Sequence, residues 1–213
     1  MTLGTMRTVA ALFVDAKGPY IDLPGVDPWP EERDARLYAG PHPVVVHSPC
    51  ARWGKYWFGG PTAHLRNARR ELGDDGGCAA SGLAAVRRWG GVFEHPEGSH
   101  VWRWFGMCAP PRAGGWVNAD WLGGWTCCVE QGHYGHRGRK ATWLYAVGVD
   151  PLPSLKWGPS EASIKMDDGY HAAEERRRLV RTGAVQRMSH RERRITPEPF
   201  RDLLLSMARS VSL

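Results

Sequence analysis

The chain has 213 residues, a net charge of +6 and an isoelectric point near 9.3. That length folds as one domain burying about 70% of its unfolded surface, so a disulfide- or metal-stapled mini-protein is excluded. Five cysteines, an odd number, with no basic, apolar and small-residue leader, point to a reducing cytoplasm, and no run of eighteen apolar residues exists to cross a membrane.

Positive charge favours a polyanionic partner, because neutralising phosphates releases counterions. Eleven tryptophans, several beside Arg or Gly as in Arg52-Trp53-Gly54 and Trp102-Arg103-Trp104, supply rings that either fill a core or stack on bases.

The apolar run at 8–14 predicts a first strand, ended by Asp15-Ala16-Lys17-Gly18-Pro19. Pro24, Pro28 and Pro30 make the next stretch a loop. Residues 44–47, continuously β-branched up to His47, predict a strand buried on both faces and place Cys50 just past its end. Helices follow at 62–72 and 78–89, the second with Leu83, Val86 and Trp89 on one face. Val92-Phe93 is a short strand with Glu94 at its end, and 98–124 reads as loop. Residues 125–130 and 141–149 predict an antiparallel pair around a basic turn at 133–140. A basic helical run occupies 174–181, and a last helix, capped by Thr196 with Pro197 at its first position, buries Phe200, Leu203, Leu204 and Met207.

The order strand, helix, strand argues for a parallel α/β sheet, which gathers chemistry at the carboxyl ends of its strands. Cys50 and Glu94 belong to two such ends. A thiolate is a good nucleophile near neutral pH if its pKa is lowered, here by a helix N-terminus, Arg52 or His47. A buried Glu94 is expected to titrate high and so to share a proton. Each has a plain alternative, an inert thiol and a loop carboxylate bonded to backbone amides. Arg137 and Arg139 alternate along an extended turn and reach one side, as phosphate contacts or as solvated charge. Cys127, Cys128, His133 and His136 form no four-ligand metal pattern, and no metal is expected.

Four segments in order resemble the cytosine carbon-5 DNA methyltransferases, especially the short divergent forms of phages and prophages. Ser48-Pro49-Cys50 resembles the family's Pro-Cys loop, and Glu94-His95-Pro96 its glutamate segment. Tyr134-Gly135-His136-Arg137-Gly138-Arg139 resembles the tyrosine-glycine turn, and Arg194-Ile195-Thr196-Pro197 the closing segment. The resemblance implies that Cys50 attacks carbon 6 of a cytosine and that Glu94 binds the N3 edge and assists protonation there. Ser48, Pro49, Arg52, His95, Arg137 and Arg139 would then contact substrate, and Phe13 and Asp15 would meet S-adenosylmethionine. Where the family opens with Asp-Leu-Phe-x-Gly-x-Gly, this chain has Ala11-Leu12-Phe13-Val14-Asp15-Ala16-Lys17-Gly18, and about 35 residues separate that strand from Cys50.

The expectation is therefore a single Rossmann-like, methyltransferase-type, mostly parallel sheet with flanking helices and a shortened cofactor half. Residues 1–150 form the catalytic-type domain and 151–213 a basic extension ending in a packed helix. The partner is DNA, single-stranded included, or a pyrimidine nucleotide; the oligomeric state is open. A nucleic-acid-binding relative without the cofactor site, or an enzyme using another one-carbon donor, are the alternatives.

Overall fold

The computed structural model describes residues 6–59, 70–162, 164–165, 174, 177, 181, 188 and 190–212. Strictly alternating contacts place helices on both faces of one sheet. In β3 (Val44–Val46) all three valines are fully buried, Val44 and Val46 in one core cluster and Val45 in the other. β1 (Val9–Leu12) divides the same way, Ala10 and Leu12 against Val9 and Ala11. Successive side chains of a strand point to opposite faces, so a continuous apolar run needs cover on both.

One cover is α1 (Cys78–Trp89), which leads from β3 to β4 (Gly91–Pro96) and buries Ala79, Leu83, Ala85 and Val86. The other is α4 (Glu198–Arg209), which buries Phe200, Leu204, Leu205, Met207 and Ala208 against the opposite face. α4 starts one residue later than predicted: Pro197 is its cap, and Pro199 stands in its first turn, where the missing N–H costs no hydrogen bond.

The sheet order is β2-β1-β3-β4-β8-β6-β5, with β2 (Val26–Trp29), β5 (Val117–Asn118), β6 (Trp125–Glu130) and β8 (Ala141–Val147). β2, β1, β3 and β4 pair in parallel, whereas β4 with β8, β8 with β6 and β6 with β5 are antiparallel. The fold is α/β, and the expected mostly parallel sheet is corrected to a mixed one. The cause is that β8 returns antiparallel between β4 and β6, as Leu144 pairing with both Glu94 and Cys127 shows.

Three further expectations are corrected. The proline-punctuated loop contains β2, with Pro28 tolerated because β2 is an edge strand. The loop at 98–124 contains α2 (His100–Trp104), capped by Ser99 accepting from the Val101 N–H, as well as β5. The basic turn is pinned by a small parallel pair, β7 (Gly138–Arg139) with β9 (Ile164–Lys165). A short α3 (His190–Arg194) precedes α4. The helix expected at 62–72 lies largely outside the described residues, and 70–72 are not helical; the run at 174–181 also lies largely outside them. Among the described residues no helix is long and apolar enough to cross a membrane.

Candidate functional site

The strand order turns at β1: β2 lies on one side of it and β3 on the other. Ligands of open α/β sheets bind outside the carboxyl ends at such a switch point. That rim carries Phe13 after β1, His47 to Cys50 after β3 and Glu94 near the end of β4. Because β8 runs antiparallel, its start also faces this rim, bringing Lys140, while the end of β6 brings Gln131.

The centre is a chain of polar groups on one face of the sheet. Tyr20 Oη and His47 Nε2 are 2.8 Å apart, and His47 Nδ1 is 2.9 Å from Glu94 Oε2. Gln131 Nε2 donates to Glu94 Oε1 at 3.2 Å and to Thr142 Oγ1 at 3.0 Å. Both carboxylate oxygens of Glu94, which is 8% exposed, are therefore held. Tyr20 is placed by the C-terminal helix, where Arg201 Nη1 donates to the Pro19 carbonyl at 2.9 Å.

Glu94 corrects the expectation of a raised pKa. Burial pushes its carboxyl up, but the hydrogen bond from His47 and the charges of Lys140, His47 and His95 more than offset this and bring it to about 2. Glu94 is an anion at neutral pH. Cys50 corrects the opposite expectation. The residue is exposed, yet crowding around its thiol and the negative charge of Glu94 push its pKa up, against Lys140 and Arg194, which pull it down. These influences leave the thiol unactivated. The same influences show that Cys50, Glu94, Lys140 and Arg194 share one electrostatic neighbourhood.

The loop after Cys50 turns back at once, with the Trp53 and Gly54 N–H groups both donating to the Cys50 carbonyl. Trp53 is buried, and its Nε1 donates to Asp75 Oδ2 at 2.7 Å. Ser48 is buried and its hydroxyl finds no partner among the described residues, Pro49 is exposed, and Arg52 is half-buried beside Trp53. His95 leaves the Glu94 side entirely, as adjacent residues of a strand must. Its ring stacks on Phe93 and its Nδ1 lies 2.7 Å from the Ser99 hydroxyl that caps α2. Burial lowers its pKa to about 4, with Glu94 pulling the other way, so the ring is neutral at pH 7.

Arg137 and Arg139 are both exposed. Arg137 pairs with Glu192 of α3 at 2.6 Å, and Arg139 Nε donates to the Ala162 carbonyl at 3.2 Å. Phe13 is half-buried at φ 58°, a left-handed conformation that is strained for a bulky side chain. Asp15 is exposed and accepts from the Lys17 N–H at 2.9 Å in a turn. Sequence reasoning missed Tyr20 and Gln131. Their only signals are local, a tyrosine after Gly18-Pro19 and a glutamine closing an apolar strand, and nothing in sequence spacing announces that they converge.

Comparison with protein-family models, with curated proteins and with solved structures yields no match.

Proposed function

We propose that the chain modifies a pyrimidine base, with cytosine in DNA as the preferred substrate and a covalent Cys50 adduct as the intermediate. The observation that supports this best is the meeting of Cys50 and Glu94, 44 positions apart, in one electrostatic neighbourhood at the carboxyl rim of adjacent parallel strands. In this reading Cys50 Sγ adds to carbon 6, the ring electrons shift toward N3, and Glu94 receives the N–H groups of that edge. Carbon 5 becomes the nucleophile and bonds a one-carbon electrophile released by a donor, and loss of the carbon-5 proton with expulsion of the Cys50 thiolate then restores the aromatic ring. Lys140 and Arg194 stabilise the thiolate as it forms, and the exposed Arg137 and Arg139 attract phosphate.

S-adenosylmethionine is the methyl donor that the resemblance implies, and Phe13 and Asp15 stand at the corresponding rim. The fit is poor. β1 runs into a Gly-Pro loop and then directly into β2, so no helix N-terminus follows it to receive a charged cofactor. No step above is routed through that cofactor.

A second reading, a nucleic-acid-binding relative without chemistry, draws on the raised pKa of Cys50. Mass spectrometry of nucleosides from DNA of cells lacking cytosine methylation, expressing wild type or Cys50→Ala, separates the two. A modified pyrimidine made only by wild type supports the enzyme, and its added mass identifies the group. Unmodified DNA with both folded proteins supports the binding module.

A further inference from the structure

A carboxylate held as an anion has no proton to give, yet the chemistry proposed above places a proton on the ring edge that Glu94 meets. The hydrogen-bond chain identifies the source. We propose that His47, backed by Tyr20, is a positioning residue that fixes the Glu94 carboxylate and exchanges a proton with it.

The geometry constrains how this works. Glu94 Oε2 only accepts, so the 2.9 Å contact requires a proton on His47 Nδ1. On the far side Nε2 meets the Tyr20 hydroxyl at 2.8 Å. Burial and the charge of Glu94 push the Tyr20 hydroxyl well above its ordinary value, so Tyr20 keeps its proton and the chain ends there. The proton delivered is then one of the two on an imidazolium. It passes from Nδ1 to Glu94, and one passes from Glu94 to the ring nitrogen. The carboxylate is regenerated, and His47 is left neutral with its remaining proton on Nε2, facing the Tyr20 oxygen. One proton leaves and one arrives, with no change in oxidation state. Other charges acting on this chain come from Lys140, from His95 on the opposite face of β4, and from Arg201 and Asp202 of α4.

This role rests on the pyrimidine reading, but the clamp itself is measurable without substrate. The 213-residue chain, labelled with 13C at glutamate carboxyls, is titrated by NMR, with Glu94→Gln assigning the signal. In wild type the Glu94 signal is expected to leave its ionised position only toward about pH 2. His47→Ala, which removes the donor and leaves burial unopposed by it, is expected to move the midpoint up by about 1 unit or more. Tyr20→Phe, which removes only the support behind the ring, is expected to move it by less. His47→Asn keeps a donor but takes no second proton; it is expected to hold the midpoint near wild type while lowering product formation at least about 10-fold. An unchanged midpoint in folded His47→Ala overturns the clamp, and full product formation by His47→Asn overturns the exchange. If wild type forms no modified base while His47→Ala still moves the midpoint, the functional reading fails and the clamp stands.

Discussion

At the scale of single residues, the site depends on side chains that perform two tasks at once. Asp75 is the clearest. Its Oδ1 accepts from the Gly77 N–H at 3.0 Å, and its Oδ2 from the Ala79 N–H at 2.8 Å and from Trp53 Nε1 at 2.7 Å. The first two contacts satisfy N–H groups that the start of α1 leaves without partners, and the third anchors the loop that begins at Cys50. Asp75→Ala is therefore expected to cost about 1–2 kcal/mol of stability from the lost capping contacts. It should also raise the alkylation rate of Cys50 by freeing the loop, both readable by denaturant titration and peptide mass spectrometry. Unaltered Cys50 reactivity in the folded variant would show that Trp53 alone orders the loop. Asp75→Asn separates the contributions, since its amide keeps one acceptor and loses the charge facing the helix N-terminus.

At the scale of elements, what was legible in the sequence is what local periodicity encodes. The bounds of α1 and β6 agree with the predicted ones, because Leu83 and Val86 fall on one helical face and residues 125–130 end at turn-forming neighbours. Cys50 just past β3 was legible for the same reason, whereas Glu94, expected at the end of a two-residue strand, lies inside β4, which runs on through His95 and Pro96 because β8 pairs with it there. β2 was not, because Pro28 outweighs the two flanking residues in any local reading and only its edge position licenses it. The short α2 was hidden by tryptophan, which says little about period. The signs of the Cys50 and Glu94 shifts were also beyond reach, since Cys50 is raised by crowding and by Glu94 while Glu94 is lowered first by the hydrogen bond from His47, neighbours that only the folded rim brings together.

α2 has a consequence of its own. It presents Trp104, 59% exposed, edge-on against Trp53 with ring centroids 5.7 Å apart, next to the exposed Arg103 and near the Cys50 loop. Such a ring offers an unpaired base a stacking surface, worth about 1–3 kcal/mol by alanine substitution. If the partner is single-stranded DNA, Trp104→Ala weakens binding of a short oligonucleotide about 10-fold, as read by fluorescence anisotropy at low salt. Trp121→Ala is the control: this tryptophan, 91% exposed, precedes β6 at the opposite rim. Equal losses from both variants would mean that the rings act only through non-specific attraction.

At the scale of the whole molecule, the site and the stability of the fold are the same problem, because Glu94 and His95 are adjacent, buried and shifted in ways that acid opposes. Glu94 falls from an ordinary 4.5 to about 2. The stability it contributes is complete above 4.5 and is lost as pH falls toward about 2. His95 falls from 6.5 to about 4 because burial disfavours its charged form, so its contribution is complete above 6.5 and is lost toward about 4. In both cases the unfolded chain binds more protons than the folded one, so both losses run in the same direction. Each shift corresponds to roughly 3 kcal/mol, a large share of the 5–15 kcal/mol that typically separates folded from unfolded states. Below 6.5 His95 acts together with His136, whose pKa burial also lowers; below 4.5 Glu94 joins them and the decline steepens. The urea midpoint is therefore expected to fall from about pH 7 to about pH 5, before most surface carboxylates titrate. His95→Asn, which cannot take up the proton, should make that upper limb shallower while leaving the lower one. A midpoint constant from about pH 7 to about pH 5 in wild type would mean that His95 is protonated in the folded state, and the neutral buried ring behind α2 would have to be abandoned.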